Sequence, residues 1–178
     1  MEENDKMEIT TPLLERDIAG LKAGDMIYVS GVVYTARDAA HKRMCEQLAK
    51  GEKMPFDFDG AVVYYAGPCP PKPGKPIGSV GPTTSGRMDL YSPVLIQAGL
   101  KAMIGKGLRS KEVVDAIVKY GGVYFAAIGG AAALMGKKVV SAEVIAYDEL
   151  GTEAVRRLVV KQLPVIVAID RQGNNLYE

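Results

Sequence analysis

Apolar and polar positions in the first third of the chain follow two different periods. Residues 25–34 hold two β-rich triplets separated by a Ser-Gly pair, which predicts a strand pair or one bulged strand. From Asp38 onward, the apolar positions Ala40, Met44 and Leu48 recur at helical spacing. This change of period predicts an amphipathic helix that directly follows the β segment.

The remaining apolar segments are short and predict a mixture of strands and helices. A helix is expected over 88–99, kinked or shortened by Pro93, and another after Ser110, which would cap it. The second helix would bury the apolar side chains Val113, Val114, Ile117 and Val118. Strands are expected at 61–66, 102–104, 123–128, 139–144, 154–160 and 165–170.

The order of these elements predicts the fold class. Strands alternate with helices in the middle of the chain and dominate toward its end, which is typical of α/β layers with a mixed sheet. A purely parallel, doubly wound sheet fits the strand-rich tail less well. Because 178 residues of ordinary globular composition suffice for one core, we expect a single domain over 1–178, with residues 1–6 flexible.

Two segments fall outside this pattern. Residues 67–82 contain much of the chain's proline, which predicts a long ordered loop, and loops of this length are often functional. Residues 129–134 are nearly all small and match no phosphate-binding motif. We interpret them as a closely packed helix.

The charge balance limits the classes of partner. Lys and Arg number 22 against 21 Asp and Glu, so the net charge of +1 gives no overall field that would attract nucleic acid or an anionic membrane. No window approaches the roughly 20 apolar residues of a membrane span, and the polar first residues do not resemble a signal peptide. We therefore expect a cytoplasmic protein in which any anion binding is local.

The chain has few metal ligands. Cys45 and Cys69 are its only cysteines, and His41 is its only histidine. A [4Fe-4S] cluster needs about three or four thiolates, and a structural zinc site needs about four Cys or His ligands. Neither site can be built from the Cys and His of this chain alone.

Residues 81–89, Gly-Pro-Thr-Thr-Ser-Gly-Arg-Met-Asp, are the densest cluster of candidate functional groups. A helix beginning near Ser85 would present free N–H groups to an anion, and Arg87 could hold a carboxylate through two parallel hydrogen bonds. The alternative is that Thr84 or Ser85 only caps the helix and that Arg87 is a solvated surface residue.

Two other basic residues follow predicted strands. Arg37 lies at a strand-to-helix junction, where a side chain can face a cleft, although it could equally pair with Asp38. Lys106 lies between two glycines after the predicted strand 102–104 and could reach an anion as a point charge. Lysines in glycine turns are also commonly just solvated.

A cysteine nucleophile is a separate hypothesis. Cys69 with His41 as its base would make a cysteine hydrolase that needs no partner, but no third group that would orient the histidine is evident. The alternatives are a rigid loop cysteine and a surface or capping histidine.

Taken in order, four segments resemble the β-type catalytic region of class I fumarases and L-tartrate dehydratases. They are Thr-Ala-Arg-Asp-Ala-Ala-His at 35–41, Ala-Gly-Pro at 66–68, the cluster at 81–89, and Gly-Lys-Gly at 105–107. The ordered set is more specific than any single segment, and the match extends over most of the chain.

This resemblance implies a swivelling β/β/α domain that is a separate β subunit. Its α-type partner would bind a [4Fe-4S] cluster through three cysteines and leave one iron open as a Lewis acid. Within this chain, the resemblance implies that Arg37, Arg87 and Lys106 hold the substrate carboxylates. It also implies that Thr83 removes the C3 proton of a 2-hydroxy dicarboxylate, with Thr84 or Ser85 as substitutes if the register is shifted.

The implied reaction is the reversible hydration of fumarate to malate by a complex of this chain with the α subunit. Tartrate dehydration is the nearest alternative, because both substrates are C4 dicarboxylates and the named residues hold what the two share. A non-catalytic anion-binding module of the same fold is the alternative from another class.

Overall fold

A computed structural model of the chain describes residues 6–128 and 131–178. The described strands, all in one mixed sheet, are β1 (Glu8–Thr10), β2 (Met26–Thr35), β3 (Val62–Tyr64), β4 (Ala102–Gly105), β5 (Val123–Ala127), β6 (Val139–Ala146) and β7 (Val155–Ile169). The α-helices are α1 (Glu15–Ile18), α2 (Asp38–Ala49), α3 (Ser92–Gln97), α4 (Lys111–Tyr120) and α5 (Ala131–Lys137). Two 3₁₀ helices lie at Ser85–Met88 and Asp148–Glu153.

The strand pairings confirm the predicted mixed α/β class. Strands β1 to β5 are joined by parallel pairings, whereas β7 runs antiparallel to β2, β5 and β6. Because β2, β3, β4 and β5 are neighbours in that order and β7 pairs with both β2 and β5, these five strands form a closed circuit of pairings.

Two apolar clusters lie on opposite faces of the parallel strands. In β3, Val62 and Tyr64 face the interior that the strands enclose, together with buried side chains of β7 such as Val165. Val63 points the other way and packs with the helices, where Met44 of α2 is also fully buried. The parallel strands are therefore a middle layer between helices α2, α3 and α4 on one face and β7 on the other, whereas Ile18 of α1 and Met135 of α5 belong to the interior cluster.

Several local predictions are confirmed. Strand β2 is one bulged strand, with a register shift between Val29 and Gly31. Helix α2 begins at Asp38, where the apolar period changes. Pro93 lies in the first turn of α3 instead of kinking a longer helix.

Other predictions are wrong. The segments 154–160 and 165–170 form one strand, β7, because β2 pairs with both halves. Pro164 lies between the residues of β7 that pair with β6 and those that pair with β5. Val118, expected in the core, is 50% exposed, because the buried stripe of α4 is narrow and centres on Val113 and Ile117.

The sequence pattern also failed to predict β1 and α1. Residues 1–5, 129 and 130 lie outside the described residues, so the expected flexible start and the two glycines of the small-residue segment are not placed. The described remainder of that segment begins α5. No helix in 6–128 or 131–178 combines the length and apolar character needed to cross a membrane.

Candidate active site

The carboxyl edge of the parallel strands brings together the loops that carry the predicted site residues. Arg37 follows β2, and Lys106 follows β4. The long loop after β3 returns to the same edge, where the backbone N–H of Thr83 donates to the carbonyl oxygen of Tyr65 at 2.7 Å. Ligands of parallel α/β sheets bind outside this edge.

The proline-rich loop 67–82 contains no regular element and is anchored to the core. Ile77 and Val80 are buried in it, and the Tyr64 hydroxyl donates to the carbonyl oxygen of Val80 at 2.7 Å. Burial of Tyr64 raises the pKa of this hydroxyl, which therefore stays protonated and keeps donating. This anchoring agrees with the predicted ordered loop and fixes where the chain re-emerges at Gly81.

Arg37 and Arg87 converge on one carboxylate. The Nε of Arg37 lies 3.9 Å from Oδ1 of Asp38, and the Nε of Arg87 lies 3.6 Å from Oδ2 of the same residue. The pocket between them has a volume of about 350 Å³ and is also lined by Lys42 and Glu153. Both interpretations of Arg37 hold at once, because it pairs with Asp38 and also faces a cleft.

Thr83 and Lys106 do not line this pocket. Thr84 forms a parallel bridge with Lys106, and the N–H of Ser85 donates to the Lys106 carbonyl oxygen at 2.9 Å. Lys106 is exposed and Thr83 is half-buried. The structure thus gives two groups of candidate residues. One is the arginine pair around the pocket. The other is Thr83 and Lys106, which lie on two segments joined by the bridge between Thr84 and Lys106.

The anion site expected at a helix N-terminus stays a prediction, although one of its N–H groups is already occupied. The helix at Ser85–Met88 is a 3₁₀ helix of four residues, and its first N–H is already bonded to Lys106. Of the alternative interpretation, the cap is not found, because the Thr84 side chain makes no capping hydrogen bond, whereas Arg87 is indeed an exposed residue. Pairing with the end of β4 sets the geometry of this turn, and Arg87 is the side chain there that can bind an anion.

Ser85 cannot substitute for Thr83 as the base. Its side chain is fully buried, and its hydroxyl lies 2.7 Å from the hydroxyl of Tyr124. The Tyr124 hydroxyl also donates to the carbonyl oxygen of Gly107 at 2.9 Å. Thr84 is exposed and remains a possible substitute.

A buried guanidinium that the sequence did not reveal lies beneath the site loops. The Arg109 side chain is 0% exposed, and its Nε donates to Oδ1 of Asp89 at 2.7 Å. Its Nη2 donates to the hydroxyls of Tyr65 at 3.1 Å and Ser92 at 2.9 Å. We call these four residues the Arg109 network. Burial lowers the pKa of Arg109, but Tyr65 and Asp89 offset this, so the pKa is raised overall and the charge is retained.

His41 is a buried neutral residue. Its Nδ1 lies 2.8 Å from the carbonyl oxygen of Arg37, which can only accept, so Nδ1 carries the proton. The ring is 0% exposed and packs edge-to-face on Tyr65 with 5.3 Å between ring centroids. Burial lowers the pKa of His41 to about 4, and the Arg109 charge acts in the same direction. His41 therefore links the start of α2, and with it Arg37, to Tyr65.

This burial predicts a pH dependence of stability that His41→Asn should remove. The unfolded histidine titrates near 6.5 and the folded one near 4, so between these values the unfolded state binds more protons. The free energy of unfolding should fall as pH falls through this window, by about 3 kcal/mol, and the His41 contribution should level off below pH 4. Urea unfolding of both proteins at pH 7 and 4.5 measures the difference. Equal losses in the two proteins would contradict the assignment.

The structure gives the Cys69–His41 hypothesis no support. Cys69 is exposed in the proline-rich loop, whereas His41 is fully buried, and no hydrogen bond joins the two among the described residues. Cys69 lines a different pocket, between the loop and β6. The alternative interpretation, in which Cys69 is a loop cysteine without a catalytic role, fits this placement.

The donor set of this chain does not fit a [4Fe-4S] cluster. Cys45 lies half-buried on α2, where burial raises the pKa of its thiol, and Cys69 lies in the exposed loop. Within 6–128 and 131–178, no three His, Cys, Asp or Glu side chains are grouped so that they could hold a metal ion. With two cysteines in the whole sequence, the three or four thiolates of a cluster are not available.

Known proteins are similar in sequence to this chain along its length. The model of the family described as Fumarase C-terminus matches residues 1–178. A protein of Methanocaldococcus jannaschii provisionally named L(+)-tartrate dehydratase subunit beta is 42% identical over 179 residues, which cover 97% of this chain and 92% of that protein. The anaerobic class I fumarate hydratase of Escherichia coli is 34% identical, and fumarate hydratase 2 of Leishmania major is 35% identical.

The lengths of these relatives differ. The match covers 97% of this chain in both fumarate hydratases but only 32% and 31% of those longer proteins. The chain therefore spans nearly all of a protein named as a subunit and about a third of the fumarate hydratases. The family match and the relatives confirm the resemblance seen in the four sequence segments, and the chain belongs to the Fumarase C-terminus family.

Proposed function

We propose that this chain is the β subunit of an iron-sulfur-dependent hydro-lyase that catalyses the reversible hydration of fumarate to malate. The observation that carries the proposal is the convergence of Arg37 and Arg87 on one pocket at the carboxyl edge of the parallel strands. Relatives named fumarate hydratase and tartrate dehydratase subunit make a C4 dicarboxylate the ligand that this pair would bind.

The arginine pair is suited to one substrate carboxylate. A guanidinium can bind a carboxylate through two parallel hydrogen bonds. Asp38 lies close enough to the Nε atoms of Arg37 and Arg87 to attract both side chains, without forming a hydrogen bond to Nε of Arg37. Their terminal nitrogens would then bind the substrate carboxylate.

A dianion needs more positive charge than this pocket provides. The three cations Arg37, Lys42 and Arg87 face the two carboxylates Asp38 and Glu153 in the pocket lining. The second substrate carboxylate would therefore require Lys106, which projects from the neighbouring loop, and cations of the partner.

In this arrangement the alkoxide of Thr83 would take the proton from C3 of the 2-hydroxy dicarboxylate, and the electrons of that C–H bond would form the double bond as the C2 hydroxyl leaves. The proton would then pass to the departing hydroxide, which is released as water, and the alkoxide would be restored. A threonine hydroxyl is a very weak base, so its alkoxide would have to be stabilised by nearby positive charge. Lys106 is our candidate, because the bridge between Thr84 and Lys106 keeps the two loops adjacent. We propose Thr83 as the base and Lys106 as the cation that supports it.

The partner would be a cluster-bearing α subunit. This chain lacks the thiolates for a cluster, and the longer fumarate hydratases carry about twice its length in additional sequence. The layering of helices, parallel strands and antiparallel strands supports the swivelling β/β/α type that the resemblance implies, and a cytoplasmic location would suit the reduced thiolates of such a complex.

The test is turnover by the complex isolated anaerobically from source cells through a tag on this chain. We expect hydration of fumarate, with a higher kcat/KM than the dehydration of L(+)-tartrate. A preference for tartrate would select the alternative substrate. A complex that binds either dicarboxylate but turns over neither would instead indicate the non-catalytic anion-binding module.

Arg87→Met should lower kcat/KM of this complex by about 100-fold, because a charged hydrogen-bonding partner of the substrate carboxylate is lost. Lys111→Met is the matched control, since Lys111 is exposed on α4 and pairs with Asp115 at 2.7 Å. Steady-state kinetics of both variants measure the effect. Equal activity in the two variants would remove Arg87 from the site.

A further inference from the structure

The Arg109 network contacts the segments that carry Thr83, Arg87 and Lys106. The Arg109 guanidinium lies between two tyrosine rings, with its central carbon 5.2 Å from the centroid of Tyr65 and 4.7 Å from that of Tyr124. Its hydrogen bonds to Asp89 and Ser92 bind the segment that follows the 3₁₀ helix. A single buried side chain thus contacts Tyr65 just after β3, Tyr124 of β5, and the segment that directly follows the 3₁₀ helix of Arg87.

The connections from this network lead directly to the proposed site residues. The hydroxyl of Ser92 accepts from Arg109 and donates to the carbonyl oxygen of Met88 at 2.9 Å, next to Arg87. The carbonyl oxygen of Tyr65 accepts the Thr83 N–H at 2.7 Å.

Three further hydrogen bonds extend these connections to Ser85, Gly107 and Ser110. Tyr124 bonds to Ser85 and to the carbonyl oxygen of Gly107, beside Lys106. Asp89 uses its second oxygen to accept the Ser110 N–H at 2.6 Å, which joins the two loops a second time.

The buried polar atoms of the network satisfy one another. Tyr65 accepts from Arg109 and can donate to Ser92, and Asp89 receives a hydrogen bond on each oxygen. A fully paired buried network specifies one arrangement, because any shift leaves a polar group without a partner. Lysine cannot reproduce it, since an ammonium lacks the planar fork that reaches three partners at once.

We propose that Arg109 is a positioning residue, whose guanidinium holds Thr83, Arg87 and Lys106 in the single arrangement that substrate binding and turnover require. It touches no substrate itself, because its side chain is fully enclosed by the network. The statement about turnover rests on the proposed function, whereas the statement about loop geometry does not.

The first test measures amide hydrogen exchange in the full chain. In Arg109→Lys, the amides of Thr83 and Ser85 should lose about tenfold or more in protection, because the hydrogen bonds that hold their loop are weakened. Protection in the β2–β7 pairing should stay as in the wild type. Unchanged protection at Thr83 and Ser85 would overturn the proposal whatever the substrate is.

The second test measures kcat and KM of the complex at a temperature where circular dichroism shows Arg109→Lys fully folded. A positioning role predicts a loss of about 100-fold in kcat/KM, because a displacement of about 1 Å has such a cost. A merely structural role predicts activity that follows the folded fraction, and this result would overturn the proposal. Arg171→Lys is the matched control, since Arg171 pairs with Glu15 at the opposite edge of the parallel strands.

Failure of the proposed function can be distinguished from failure of the proposed role of Arg109. A wild-type complex without dicarboxylate turnover would refute the proposed function, and the exchange experiment would still decide the role of Arg109. If Arg109→Lys does not fold, Ser92→Ala takes its place, because it removes only the hydroxyl between Arg109 and Met88. Faster exchange at Ser85 in that variant supports the proposal, and wild-type exchange overturns it.

Discussion

Thr83→Ala should lower kcat of the assembled complex by a factor of about 10² to 10⁴, the usual contribution of a general base. Substrate affinity should change little, because the proposed carboxylate ligands Arg37, Arg87 and Lys106 are untouched. The fold should also persist, since the hydrogen bond from Thr83 to Tyr65 uses the backbone N–H and not the side chain. Steady-state kinetics and dicarboxylate binding to the complex measure the two quantities separately.

Two further variants, one at Thr83 and one at Thr84, are the controls for this prediction. Thr83→Ser keeps the hydroxyl and should retain most of the turnover. Thr84→Ala removes an exposed hydroxyl one residue further along and should leave kcat near the wild-type value. If Thr84→Ala is the variant that loses turnover, the base has been assigned one position too early. Wild-type turnover in Thr83→Ala would refute the proposed base outright.

Gly105→Ala should have the second largest effect, through packing alone. A Cβ at this position would overlap Oγ of Ser85 and lie 2.8 Å from Cδ2 of Tyr65. Both neighbours are fully buried, so the methyl can be accommodated only if the 3₁₀ helix moves away from β4. We expect a loss of about 1–3 kcal/mol in the free energy of unfolding. We also expect kcat/KM to fall by about 100-fold as Arg87 is displaced.

Gly20→Ala is the control for the added methyl group, because a Cβ at Gly20 would meet no atom within 4 Å. It should leave both unfolding and turnover near the wild type. Urea unfolding of the chain and kinetics of the complex measure the two effects. A Gly105→Ala variant with normal turnover would show that the position of the 3₁₀ helix does not matter for the reaction.

Both predictions concern the same narrow region, where three loops meet at one edge of the sheet. Ser85 pairs with the end of β4 through its backbone and with Tyr124 through its side chain. Glycine at 105 is needed because this approach leaves no room for a side chain. The site is therefore built by close packing of buried side chains against the backbone of β4, which local sequence rules describe poorly.

The elements that sequence predicted well are those with a strong local signal. Helix α2 begins at Asp38, where the period of apolar residues changes. Helix α3 begins next to Pro93, because proline is favoured in the first turn of a helix. The prediction of strand boundaries failed where the neighbouring strand determines how far a strand extends. The segments on either side of Pro164 are one strand because β2 supplies a continuous partner, which cannot be read from either segment alone.

The residues of the candidate site likewise include some that the sequence predicted and one that it did not. Arg37, Arg87 and Lys106 follow predicted strands or lie in an unusual cluster, so their residue types and positions suggested anion binding before any geometry was known. Arg109 carried no such signal, because an arginine between Leu108 and Ser110 has the composition of an ordinary surface turn. Its burial depends on Asp89, Tyr65 and Ser92, which are distant in sequence.

The sequence by itself determined the mixed α/β class, the family resemblance and the shortage of cluster ligands, because these depend on local periodicity, ordered motifs and simple counts. Only the tertiary structure decided that Ser85 is a buried support, that His41 is neutral and enclosed, and that Arg109 ties the loops together. The physical reason is that burial and hydrogen-bond partners are set by contacts between residues far apart along the chain, which no local pattern contains.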